Sequence, residues 1–419
     1  NILQRELFEL IQINTHVFEN EDNFHTFREK LKELFPLVHE HFKREKIQGN
    51  VILSYKTPQV ISENVLFVTH IDYDNFQNYA KIEQDEVYGN GAFDSKALLY
   101  IMLKAVEEIL SANIDLGMNL TIVITMDDTS TKEGSSLIVN KFLREGKFFR
   151  LVLEEGTGIV DPEYLGLNSS FALIGIGVTG EVKMRFFTQN TQNGLDRLER
   201  FLYDMKFDKV FKTSIDKPTL KMLRAMAKDM PFRERFMILN PWIFKSKIKR
   251  MLDGDMMKFA KILKTSIHFG EIQTQENQHS VDLTFSLANH DTPSELLTLI
   301  FPYIDRYKIE YKVQHIKSGT KITDTDIEGY KKVEKTIHNV FENVYTSPFI
   351  ITRITEKRFF DQVSDCVIHF SPLYYSIQSL RDAFLNQKEH VSKQSLYHGV
   401  NFFKELMNQY TGKGENNGK

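Results

Sequence analysis

Residues 64–110 constrain this chain more tightly than any other stretch. Asn64-Val65-Leu66-Phe67-Val68-Thr69 is a β-branched and aromatic run that follows turn-type residues, the pattern of a short buried strand. His70 and Asp72 stand at its carboxyl end, two apart, so their side chains share a side. Ligands bind at that end of the strands in open α/β sheets. A carboxylate two positions from a histidine can orient the imidazole, as second partners do at metal sites. The turn Gly89-Asn90-Gly91 follows, where the backbone can bend sharply, then Asp94 and an apolar helix predicted over 97–110. A second carboxylate pair, Asp127-Asp128, closes another apolar run. The order of these features points to a metal site more strongly than any one of them does alone.

Bulk properties exclude several classes. A length of 419 residues predicts two domains, or one with a large insertion. A formal net charge of −3 implies no general affinity for nucleic acid or anionic membrane. The single cysteine, Cys366, excludes an internal disulfide and suits a reducing, cytoplasmic compartment. It also leaves histidines and carboxylates to hold any metal. No apolar run approaches the roughly 20 residues of a membrane helix, and the amphipathic start Asn1-Ile2-Leu3-Gln4-Arg5-Glu6-Leu7 is not a signal-peptide pattern. Gly89-Asn90-Gly91 lacks the third glycine and acidic partner of a dinucleotide fingerprint.

Helical spacing is read at 2–18, 23–40, 97–110 and 135–145, and strands at 50–55, 64–69, 119–125 and 150–153, the last ending at Glu154-Glu155. Alternating strands and helices predict an α/β fold with a mainly parallel sheet covered by helices on both faces. At Gly177-Val178-Thr179-Gly180 the pattern changes. Strands at 181–188, 265–273, 280–287 and 307–315 interleave with helices at 194–205 and 292–306, in the β-α-β-β-α-β order of a ferredoxin-like unit. A helix at 326–341, strands at 347–354 and 366–370, and a helix at 391–410 follow. The expected division is 1–177, an inserted domain at 178–316 with a helical insertion near 207–263, and 317–419.

The order His70-x-Asp72, Gly89-x-Gly91-x-x-Asp94-x-Lys96, Asp127-Asp128 and Glu154-Glu155-Gly156 resembles the aminoacylase, carboxypeptidase S and dipeptidase family of di-zinc amidohydrolases. The resemblance covers most of the chain and is strongest over 65–156. It implies a zinc-exopeptidase-like catalytic domain with an inserted ferredoxin-like lid, and hydrolysis of the amide bond of a small peptide or N-acyl amino acid by a metal-activated water. His70 would bind one zinc ion, Asp94 would bridge two, and Asp128 and Glu155 would complete the ligands. Asp72 would hold His70, and Asp127 would be the general base. Manganese or cobalt could replace zinc. Lys96 follows Asp94 as in the family, and a solvated position at the helix start suits it equally. A homodimer through the lid would also follow.

The later motifs depart from the family pattern. Leu385 or Asn386 stands where a terminal histidine ligand belongs, ahead of the matching Glu389. His390 is the nearby substitute ligand. The Thr-Gln-Asn-Thr-Gln-Asn run after Phe187 holds no lid histidine, and Ser286 or a neighbour replaces the lid arginine. Arg358 resembles a substrate-carboxylate arginine. Two readings follow: a divergent metal-dependent amidohydrolase, favoured because His70, Asp72, Asp94 and Asp128 stand together, and a catalytically silent relative that keeps the fold for binding or assembly.

Overall fold

A computed structural model describes residues 2–16, 21–60, 62–73, 79–126, 133–208, 210–253, 263–351 and 360–411. The chain forms two compact units. One comprises 1–176, 323–348 and 355–419; the other comprises 177–322 with a short return at 349–354.

The first unit is built on an eight-stranded sheet in the order Lys43–Ile47, Asn50–Tyr55, Asn119–Thr125, Asn64–His70, Leu151–Val160, Val367–Tyr375, Ser170–Val178 and Val344–Ile351. The four strands in the middle are parallel, and antiparallel neighbours flank them. The sheet is therefore mainly parallel where the site lies, and antiparallel pairing marks its margins. The apolar run read at 64–69 is buried on both faces: Val65, Leu66 and Phe67 are fully enclosed. Helix Ser95–Ser111 covers one face, and its buried side includes Leu98, Ile101, Met102 and Ala105. The long helix Lys393–Asn408 packs beside it, with Leu396, Phe402, Phe403 and Leu406 enclosed. On the other face Ile138 and Phe142 of helix Gly134–Arg144 join Leu66, Val123 and Val152 in one apolar cluster.

Two expectations need correction. The strand expected at 150–153 does not end at Glu154-Glu155 but runs through them to Val160. It absorbs them in a bulge: His369 pairs with Glu154, yet the next residue, Phe370, pairs with Thr157. The helix expected at 2–18 stops at Ile11. The hairpin Ala80–Glu83 and Glu86–Gly89 and the short strand His390–Ser392 that pairs with it were not expected.

The second unit carries a five-stranded antiparallel sheet, with Ser266–Phe269, Gln278–Ser286, Glu181–Gln189 and Glu310–Lys317 in that order and Gln273–Thr274 beside Gln278–Ser286. Helices Gln192–Phe207 and Pro293–Tyr307 supply Leu198, Phe201, Leu296 and Ile300 to the core under Met184, Phe186, Leu283 and Phe285. This is the ferredoxin-like arrangement. Helices Lys217–Met226, Phe232–Leu239 and Pro241–Asp253 fill the insertion between its first helix and second strand.

Candidate active site

His70 ends the strand Asn64–His70, level with Thr125 on one parallel neighbour, while Val68 is level with Glu154 on the other. Strict alternation along Leu151–Val160 would turn Glu155 to the side opposite Glu154. There Glu155 and Gly156 bulge out of the pairing with Val367–Tyr375, between Glu154 and Thr157. Glu155 Oε2 then lies 3.1 Å from His70 Nε2. Gly156 makes the bulge feasible, because a Cβ there would sit 2.4 Å from the carbonyl carbon of His369. Glu154 faces away into the core, where its carboxylate lies 3.1 Å from His369 Nδ1.

The other imidazole nitrogen is committed. His70 Nδ1 lies 3.0 Å from the backbone oxygen of Asp72 and 3.3 Å from its Oδ1, and Asp72 is fully buried. With the Nδ1 proton given to Asp72, Nε2 presents a lone pair toward Glu155. Two acceptor atoms at this separation are brought together by a proton or a cation between them. Two donors of one tetrahedral zinc ion stand about 3.3 Å apart, so the pair fits a shared zinc ion.

Asp94 is the N-cap of helix Ser95–Ser111, its carboxylate accepting from the Ser95 N–H. The turn that delivers it is held from the other end of the chain. Glu389, in the loop before strand His390–Ser392, accepts from Gly91 N–H at 2.7 Å and Phe93 N–H at 3.5 Å through Oε2, while its backbone oxygen accepts from Gly89 N–H and Tyr79 Oη. Gly91 has φ +84°, and a Cβ there would meet Lys96 Cγ at 2.8 Å, so the tight turn over the lysine requires glycine. Burial first and then the nearby Asp94 charge push the Glu389 carboxyl up to about 8. Tyr375 ties the two halves together. Its hydroxyl donates to Phe93 O at 3.1 Å, and burial followed by the charges of Asp94 and Glu155 raises its pKa well above the ordinary phenol value.

Lys96 is not solvated. It is fully buried, donates to Ile13 O at 2.8 Å, and lies over the rings of Phe27 and Tyr73. It thereby pins the end of the first helix beneath the turn.

The expected residues divide into three groups. His70, Asp72 and Glu155 meet directly, whereas the Asp94 carboxylate is engaged with Ser95 N–H and shows no direct contact with the three. Asp127, Asp128 and Arg358 lie outside the described residues. His390 is held elsewhere. Its Nδ1 lies 3.1 Å from Glu86 and its Nε2 3.7 Å from Asp382, with the ring over Tyr88. Both nitrogens therefore face carboxylates of the hairpin and the Ile377–Phe384 helix, not His70. Among the described residues no group of three or more His, Cys, Asp and Glu side chains is gathered to hold an ion. Sequence reasoning missed Tyr375 and the Glu154–His369 pair. Neither carries a local signal, since Tyr375 meets Phe93 and Glu154 meets His369 only across long separations in the chain.

A model of peptidase family M20/M25/M40 matches residues 66–409. A probable carboxypeptidase S-like protein of Dictyostelium discoideum is 21% identical over 84% of this chain and 73% of its own. An N-fatty-acyl-amino acid synthase/hydrolase of Bos taurus is 22% identical over 91% of this chain and 81% of its own. Among solved structures, human carnosine dipeptidase 1 superposes with a TM-score of 0.66 at 13% identity, covering 98% of this chain and 96% of its own. An M20 family metallo-carboxypeptidase of Sulfolobus solfataricus gives 0.63 at 14% identity, covering 98% and 99%.

Proposed function

The chain belongs to peptidase family M20/M25/M40, and from that membership we propose a metal-dependent hydrolase that cleaves the amide bond of a small peptide or N-acyl amino acid. The observation that carries this reading is the 3.1 Å approach of His70 Nε2, at the carboxyl end of its strand, and Glu155 Oε2, at the bulge within the parallel neighbour Leu151–Val160. In the proposal His70, Glu155, Asp94 and Asp128 hold zinc, with manganese or cobalt as substitutes. When bound, such an ion supplies Lewis acidity at the amide carbonyl and lowers the pKa of water toward neutrality.

The protein's own side chains do the rest. Asp72 fixes the His70 ring so that Nε2 faces the site. Glu389 and Gly91 set the turn that aims Asp94. Asp127 takes a proton from the attacking water, and Arg358 binds the carboxylate of the substrate. The relatives named for N-fatty-acyl amino acids and for carnosine support a substrate with a free carboxylate next to an amide. The proposal further includes a cytoplasmic location, supported by a single, buried cysteine, and a homodimer through the exposed strand Glu310–Lys317, which light scattering would test.

The function is tested by hydrolysis of a panel of N-acyl amino acids and dipeptides, with each metal added and again after chelation. Turnover that disappears on chelation and returns with metal is expected. No turnover under any condition would favour a catalytically silent family member.

A further inference from the structure

The net charge of −3 averages over a chain whose charge is unevenly placed. Within 231–253, six basic residues (Arg233, Arg235, Lys245, Lys247, Lys249, Arg250) stand against two acids, Glu234 and Asp253. Asp253 is further occupied, accepting from Thr213 N–H. Apolar side chains lie in the open among these cations. Phe232 is 83% exposed, Trp242 80%, Ile243 53%, Phe236 48% and Leu239 47%.

Their placement is regular. On helix Phe232–Leu239 the enclosed residues are Met237 and Ile238. The opposite, outward face carries Phe232, Phe236 and Leu239, spaced four and then three residues apart, so they form one stripe. Arg233 and Arg235, both exposed, flank that stripe on either side. Phe232 stacks near Phe236, and Phe236 meets Phe244 of the next helix. Trp242 and Ile243 extend the apolar surface around the corner into helix Pro241–Asp253. Beyond them the outward face of that helix turns cationic, with exposed Lys245, Lys247 and Arg250.

A soluble surface has no reason to display its sole tryptophan and two phenylalanines in this way. A stripe of Phe, Leu and Trp edged by Arg and Lys is the composition of an element that lies in a membrane interface. We propose that residues 231–253 dock the protein on an anionic lipid bilayer, with Phe232, Phe236, Leu239, Trp242 and Ile243 entering the headgroup boundary and the surrounding cations meeting lipid phosphates and carboxylates. Charge complementarity commits the surface to lipid, since a second copy would bring the same cations against themselves. The attachment is peripheral: among the described residues no helix is long and apolar enough to cross a membrane.

The chain's one tryptophan lies in the proposed contact, so its emission reports docking directly. The full chain is mixed with vesicles of phosphatidylcholine plus phosphatidylserine, and with vesicles of phosphatidylcholine alone. A blue shift of Trp242 emission, protection from iodide quenching, and co-sedimentation with the anionic vesicles are expected. Lys245→Ala with Lys247→Ala should weaken co-sedimentation roughly twenty-five-fold, at about fivefold for each cation removed. Phe232→Ser with Trp242→Ser should abolish it while leaving the melting temperature unchanged, because both side chains are mostly exposed. The proposal is overturned if anionic vesicles give neither shift nor co-sedimentation. Equal binding to both vesicle types overturns it, as does a blue shift that follows protein concentration without lipid and so reports self-association.

Discussion

His70 Nε2 and Glu155 Oε2 stand 3.1 Å apart because a two-residue bulge in the strand Leu151–Val160 brings Glu155 to the end of Asn64–His70. The approach joins residues 85 positions apart in the chain. Glu154, one residue earlier, instead enters the core beside His369, as alternation along a strand dictates.

Asp72 acts on this pair from behind. Its carboxylate and backbone oxygen both face His70 Nδ1. Asp72→Ala removes the carboxylate and keeps the backbone contact. Zinc affinity should fall by about 10- to 100-fold, as for other partners that orient a ligating histidine. Competition against a chromophoric chelator measures it, with Asp72→Asn expected to lose less.

Glu389 should behave as a positioning residue. Glu389→Ala leaves the Gly91 and Phe93 N–H groups without their acceptor, at a cost of about 1–3 kcal/mol in stability. It should also weaken zinc binding by loosening the turn before Asp94. Glu389→Gln keeps one acceptor oxygen and should recover most of both effects, read from the urea midpoint and the chelator competition.

Much of this was legible in the sequence. The run 64–69 could be read as a strand because it is fully buried in a parallel sheet, where β-branched residues run on without alternation. The ferredoxin-like unit was legible because its strands, such as Glu181–Gln189, alternate buried and partly exposed residues. The bulge at Glu155 was not legible, because it arises from register with Val367–Tyr375, which lies more than 200 residues away in the chain. The burial of Lys96 was equally hidden. A lysine beside a helix start is ordinarily solvated, and only the arrival of Ile13, Phe27 and Tyr73 encloses this one. His390 misled for a related reason: its nearness in sequence to the family's ligand position says nothing of the carboxylates, Glu86 and Asp382, that hold it.

The enclosure of Lys96 has a measurable pH signature. Burial lowers its amine from 10.5 to about 7, with Glu389 pulling the other way. Between these values the unfolded chain keeps a proton that the folded chain has released. This contribution to stability therefore rises with pH through that window and is flat below it. Glu389, raised from 4.5 to about 8, acts with the opposite sign below 8. In chelated protein, the urea midpoint of wild type relative to Lys96→Met should thus climb between about pH 8 and pH 10. A constant difference would contradict it.

Cys366 should be inert in the folded chain. It is buried, and burial pushes its thiol up to about 12, so the thiolate is scarce at neutral pH. A thiol-reactive chromogenic disulfide should label it only in denaturant. Labelling of the native protein at the denatured rate would contradict the packing around it.

The most direct measurement is an equilibrium zinc titration of the chelated protein, compared with His70→Ala and Glu155→Ala. Wild type is expected to take up a single tight equivalent, because no histidine stands in the terminal ligand position and His390 is held by Glu86 and Asp382. Each variant should lose that equivalent while keeping its fold by circular dichroism. Wild-type zinc affinity in His70→Ala, or two equally tight equivalents in the unmutated protein, would contradict the account.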